Sequence, residues 1–310
     1  MTNVDVHQHL WTGSFVAALR ARTEPPFLDG GDGGDGRDRW TLHTAGEPPY
    51  EVSPADHDIA RRAELAVADG LGRALVSLSA PLGVEWLPSG EARPLLDAYH
   101  EGAAALPRPF GAWAAACVRD IDADVTAGDL DRGFAGLQLP ANCLADAAGY
   151  AHCAPLLDLL EARGLPLFVH PGPAADASPR PGWWPAMVPY VQQMHAAWFA
   201  FRAFGRPRHP RLRVCFALLA GLAPLHGERF AARGGAEGRK EVDRNVFVET
   251  SSYGPRAVDA VVRALGTDVI VQGSDRPYAE PPQSPGFGLG GAAAYAFRIA
   301  NPRRLLTGEG

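Results

Sequence analysis

Residues 4–11 read VDVHQHLW, with two histidines one residue apart. Along an extended strand alternate side chains share a face. His7 and His9 therefore project together with Asp5 one step below, while Val4, Val6, Gln8 and Leu10 point the other way. Two imidazoles held side by side are half of a metal site. The other half has candidates far along the chain: the run LPLFVH ends in His170, ahead of Pro171 and Gly172, and DVIVQGSD ends in Asp275. Three imidazoles and a carboxylate form a complete borderline-soft donor set for one divalent ion, Zn²⁺ above all, provided that the fold brings them to one point.

The elements that must do so can be read from the apolar pattern. Short Val/Ile/Leu/Phe runs predict strands at 3–9, 74–79, 110–118, 136–139, 166–170, 213–218, 246–250 and 268–273. Amphipathic stretches between them predict helices at 54–69, 92–106, 122–132, 154–163, 184–204, 224–232, 256–265 and 292–299. Ser53 is the expected N-cap of the first, with Pro54 at its first position, and Gly164 the stop of the fourth. Eight strand–helix alternations with near-continuous apolar strands predict a parallel sheet covered by helices, closing into a (β/α)₈ TIM barrel. An open doubly wound sheet is the runner-up, but the first strand runs into HQHLW rather than a Gly-rich phosphate loop. In a barrel the C-terminal strand ends converge, so His7, His9, His170 and Asp275, after strands one, five and eight, are expected to meet there.

Residues 23–52 interrupt the alternation. They are rich in Gly, Asp and Pro, follow the first strand, and are read as a lid-like insertion over the barrel mouth, with a mobile GGDGGDG core and a hairpin around Gly46. The 310 residues are otherwise expected to form a single barrel domain. A net charge of −6 argues against a nucleic-acid surface. Four separated cysteines with no CxxC pair point to a reducing, cytoplasmic setting, and no apolar run is long enough for a membrane span. No room for a cleavable signal is expected before the first strand.

VDVHQH, FVHPG and VQGSDRPY together resemble the amidohydrolase superfamily, in its aminocarboxymuconate-semialdehyde-decarboxylase-like (amidohydrolase 2) branch, across essentially the whole chain. The resemblance implies one bound divalent ion, usually zinc, held by His7, His9, His170 and Asp275, and a homodimer. Two departures stand out. Many relatives carry a carbamylated lysine after strand four, where this chain has Gln138; Lys240, its only lysine, lies between strands six and seven. Similar proteins end strand six with a catalytic histidine, and Leu218 takes that place here, with His226 and His195 as nearby substitutes.

The leading expectation is therefore a mononuclear metal-dependent hydrolase of an amide, lactone or related carbonyl bond in a small molecule. Metal-bound water is the nucleophile, Asp275 the general base, and His170 a catalytic as well as a ligating residue. Non-oxidative decarboxylation of an unsaturated or aromatic acid is the alternative, and a degenerate metal-binding barrel without catalysis the third reading. Arg61, Arg180 and Arg276 are candidates for holding a carboxylate. Trp11, Trp40, Trp113, Trp183, Trp184, His195, Arg276 and Tyr278 are candidate substrate-binding residues, and Tyr50 is a further mouth-loop aromatic. The helix at 184–204 is apolar all round, which predicts burial on more than one side, in a subunit contact or under the lid.

Overall fold

Strand β1 (Asn3–Gln8) is buried from Val4 onward. It pairs in parallel with β2 (Leu71–Val76), Asp5 opposite Ala74. The computed structural model describes residues 2–30, 39–174, 180–235, 242–282 and 284–309. Strand β3 comes in two pieces, Phe110–Ala112 against β2 and Ala114–Ala115 against β4 (Leu137–Pro140). Trp113 sits at the handover, its N–H on Val76 O at 2.9 Å. Beyond it run β5 (Leu167–His170), β6 (Val214–Phe216), β7 (Val246–Glu249) and β8 (Ile270–Val271), each parallel to the last. The ring closes where Val6 N–H donates to Gln272 O at 2.9 Å and Gln8 bridges in parallel to Arg276. The order β1 to β8 and back to β1 is the expected TIM barrel.

The helices follow the sequence reading with local shifts. Ala154–Arg163 ends at Gly164 in the left-handed conformation. The first expected helix divides into a short turn, Pro54–His57, and a helix, Ile59–Ala68. Ser53 makes no side-chain cap; Asp58 does, accepting from Arg61 N–H at 2.7 Å. The expected helix at 184–204 breaks at Val188, because prolines open two separate helices: Trp184–Met187 and α1, Pro189–Ala200. The stretch expected to be helical from Pro224 becomes so only at α2, Gly227–Ala232. No helix among the described residues is long and apolar enough to cross a membrane.

Within the insertion, Phe27–Asp29, Trp40–His43 and Tyr50–Val52 form an antiparallel sheet in that order. An aromatic stack ties it to the barrel. Trp11 after β1 lies flat on His57 at 4.5 Å, and Trp40 of the insertion flanks the same ring at 6.0 Å. Burial pushes the His57 pKa down to about 3, so this ring is a neutral spacer. Most of the GGDGGDG core and Lys240 lie outside the described residues.

Candidate metal centre and cleft

Alternation along β1 aims His7 and His9 at the same point, and β5 brings His170 to it from across the barrel. The three rings are mutually almost perpendicular, with centroids 4.9, 4.9 and 5.1 Å apart. Asp275 joins them from the turn after β8. Its Oδ1 is 3.1 Å from His9 Nε2 and 3.4 Å from His7 Nε2. One ligand atom from each of the four residues lies within 4.8 Å of every other, and the histidines are buried.

Each imidazole is oriented from behind through Nδ1. His7 Nδ1 faces Glu249 Oε1 at 3.2 Å, His9 Nδ1 faces Ser77 O at 3.0 Å, and His170 Nδ1 faces Pro171 O at 2.9 Å. Those acceptors assign the proton to Nδ1 and leave the Nε2 lone pairs free. His7 Nε2 and His9 Nε2 are then two lone pairs 3.0 Å apart in a buried site, an arrangement that repels unless a positive charge lies between them. Burial lowers the pKa of His9 and drives that of His170 well down, with the neighbouring histidines adding to it. At His7 burial acts the same way, but Glu249 and Asp275 outweigh it and raise the pKa. His9 and His170 are thus held neutral, and with His7, which would give up any extra proton on ligation, and a carboxylate they make a nitrogen-rich set that fits a divalent ion of the zinc or manganese class.

Glu249, which the sequence reading passed over, organises the back of the centre. Besides His7, its carboxylate accepts from Leu218 N–H at 2.7 Å, Ser251 N–H at 2.7 Å and Ser251 Oγ–H at 2.6 Å. Room for it comes from Gly273, where a Cβ would lie 2.0 Å from Glu249 Oε2 and 2.9 Å from His7 Cβ. The signal was a lone carboxylate closing a strand, VFVE, whose four residues are all buried. Asp5 was expected beneath the histidines. It fastens β1 to the β8 turn, Oδ1 accepting from His7 N–H at 3.0 Å and Ser274 N–H at 3.1 Å. Arg62, also unforeseen, donates to His9 O and to Gln8 Oε1, both at 2.8 Å.

The centre opens into a cleft of about 570 Å³. His9, His170 and Asp275 form part of its floor; Leu218, Pro171, Pro185, Met187 and Val191 line its walls, and Leu42, Thr44 and Glu47 to Tyr50 of the insertion contribute a further side. Tyr190 O–H donates to Glu47, joining α1 to the insertion. No lysine or arginine is among the described lining residues.

Of the candidate substrate-binding residues, Tyr278 lines this cleft, 5.4 Å from the His9 ring, as does the mouth-loop aromatic Tyr50. The others do not. Trp113 points into the barrel, stacked on Phe168 at 5.2 Å and donating to Val6 O at 2.9 Å. Trp11 donates to Ser79 Oγ at 3.2 Å, and Trp40 packs in the His57 stack. Trp183 is exposed, and Trp184 lies under Arg180, because their short helix turns Pro185, Ala186 and Met187 to the cleft instead. Arg276 is buried between Asp69 at 2.8 Å and Glu280 at 2.7 Å, where ion pairs occupy its guanidinium. Arg61 is exposed outside the cleft. His195 and His226 face each other at 5.0 Å away from the centre.

Residues 4–306 match the amidohydrolase family. The chain is an amidohydrolase-family protein. No curated protein matches it. Among solved structures, this chain is similar to the apo IDCase of Metarhizium anisopliae, at 16% identity and a TM-score of 0.77, covering 98% of this chain and 97% of that one. It is also similar to 2,6-dihydroxybenzoate decarboxylase from Rhizobium, at 18% identity, a TM-score of 0.66 and 99% coverage of both. A third is 5-carboxyvanillate decarboxylase from Novosphingobium aromaticivorans with bound manganese, at 16% identity and a TM-score of 0.70, covering 98% and 96%. These likenesses extend over the barrel as a whole.

Proposed function

We propose that this amidohydrolase-family protein is a metal-dependent lyase that releases CO₂ from a small aromatic or unsaturated carboxylic acid. The observation that carries this reading is the cleft wall beside the donor cluster, largely apolar and, among the described lining residues, without a lysine or arginine side chain. A carboxylate seated there exchanges water for apolar walls, and loss of CO₂ disperses its charge, so the walls favour the transition state over the ground state. Two of the similar structures are named as decarboxylases of aromatic acids, which supports the same choice.

A divalent ion held by His7, His9, His170 and Asp275 would supply positive charge to bind and orient the substrate oxygens; we propose zinc, on the nitrogen-rich set, with manganese able to replace it. The remaining steps fall to the chain. Leu218 presents no imidazole from β6, so Asp275, part of the cleft floor and close to solvent, holds the proton. It delivers that proton to the carbon bearing the carboxylate. The bond to the carboxyl carbon then breaks, its electron pair stays with the unsaturated system, and CO₂ leaves. Asp275 recovers a proton from water. Ser252 Oγ, 3.5 Å from Asp275 Oδ2, helps fix the carboxyl orientation.

Hydrolysis of an amide or lactone, the leading expectation from sequence, would use the same aspartate as a base. Neither the apolar walls nor the named activities favour it, and it becomes the second reading. Zinc- or manganese-loaded protein should release ¹³CO₂ from a panel of carboxyl-labelled hydroxybenzoates and unsaturated acids. Asp275→Asn should slow this by about 10²–10⁴-fold. Turnover of amides or lactones without CO₂ release would replace this reading with the hydrolytic one.

A further inference from the structure

We propose that the outer face between α1 and α2 carries a second binding site, for a small aromatic anion: a planar ring bearing a phosphate or carboxylate group. A separate concavity of about 250 Å³ lies there, lined by His195, Phe199, His226, Arg229, Phe230 and Arg233. Its rings form a continuous ladder. His226 meets His195 at 5.0 Å, His195 meets Phe199 at 5.1 Å, and Phe199 meets Phe230 at 5.5 Å. Phe230 is held on two sides. The Arg202 guanidinium lies over it at 5.6 Å, and Gly235 packs so closely that a Cβ would sit 2.4 Å from the ring.

Among the described residues the charge of the site is one-sided: its lining includes two guanidinium groups and two imidazoles but no carboxylate. Neither Arg229 nor Arg233 has an ion-pair partner among the described residues, on a chain whose net charge is −6. Cationic donors gathered in a concavity repel one another and raise the local anion concentration. Guanidinium groups match phosphate and carboxylate oxygens with paired N–H donors, and the ring ladder offers stacking area to a flat ligand body. A divalent cation fits poorly, since only two imidazoles are available and two guanidinium charges stand beside them. Val191 faces the cleft and His195 this concavity from the same helix, so the two sites share α1 as a wall without sharing a lining residue.

The test is calorimetric titration of the metal-loaded protein with phenyl phosphate, and with inorganic phosphate as the ring-free probe. Subtracting the isotherm of Arg229→Gln/Arg233→Gln isolates this site from any binding at the metal centre. We expect that double variant to weaken one binding component at least about 10-fold, while metal loading is unchanged. His226→Gln should weaken the same component. Phenyl phosphate should bind it at least about 10-fold tighter than inorganic phosphate, and Phe199→Leu should erase that preference. Isotherms that do not change on removing the arginines, or equal affinity for the two probes in the wild type, would overturn the proposal.

Discussion

Glu249 sets how well the centre holds an ion. It touches no substrate-facing surface, yet one carboxylate orients His7 and collects three further donors from Leu218 and Ser251. Glu249→Gln keeps the shape but substitutes an N–H₂ for an oxygen, so one of those donors would face another donor, and His7 Nδ1–H would lose its anionic acceptor. Groups behind a ligating histidine typically account for about 10–100-fold in metal affinity. We expect a loss of that size in competition with a chromophoric chelator, with the fold retained by circular dichroism. His7, His9 and His170 were legible because histidines are rare in apolar runs, and Asp275 because it follows the last such run, whereas Glu249, although it too closes an apolar run, has no ligating residue beside it in the sequence to mark it. Which aromatics face the cleft was not legible either. Trp11, Trp40 and Trp113 are near the mouth in sequence, but their indoles were needed as packing between insertion, barrel and strand.

Between β6 and α2 the backbone does something that the composition conceals. Leu218 to Leu222 all have positive φ, from 46° to 62°, and only Gly221 among them tolerates this freely. Four non-glycine residues at roughly 1–2 kcal/mol each represent strain that the surroundings must hold. Glu249 accepts from Leu218 N–H, and Leu219, Ala220 and Ala223 are buried. At Gly221 a Cβ would lie 2.7 Å from Val191 O on α1, which is also a wall of the cleft. Gly221→Ala should therefore destabilise by roughly 2–4 kcal/mol, from left-handed strain plus displacement of α1, read as a lower urea midpoint with an unchanged m-value. This turn also marks where sequence reading stopped. The barrel strands were legible because parallel strands buried on both faces must be continuously apolar. ALLAGLAP is equally apolar and fits a buried helix by composition, while the left-handed path is imposed by contacts from β7 and α1 that no local pattern records.

For the molecule as a whole, one buried acid links stability to pH. Gln138 stands where the resemblance led one to look for a lysine, in register with Phe168 of β5, and its Nε2 donates to Glu85 Oε1 at 3.1 Å. Both residues are fully buried, and Glu85 Oε2 and Gln138 Oε1 have no partner as a carboxylate–amide pair. A proton on Glu85 gives the missing donor, since a carboxylic acid and a primary amide complement each other twice. Burial accordingly raises the Glu85 pKa from 4.5 to about 7. In the unfolded chain the same group ionises near 4.5, so between these values the unfolded state binds fewer protons than the folded one, and stability falls as pH rises. The full contribution is present below the unfolded value and is lost once pH passes the folded one, a difference of roughly 3 kcal/mol. Glu85→Gln keeps an amide pair without the proton. Urea unfolding at pH 5 and pH 8 should show the wild type losing roughly 3 kcal/mol more than the variant across that interval. Parallel pH profiles for the two proteins would mean that Glu85 is ionised in the folded barrel, with a partner other than the amide of Gln138.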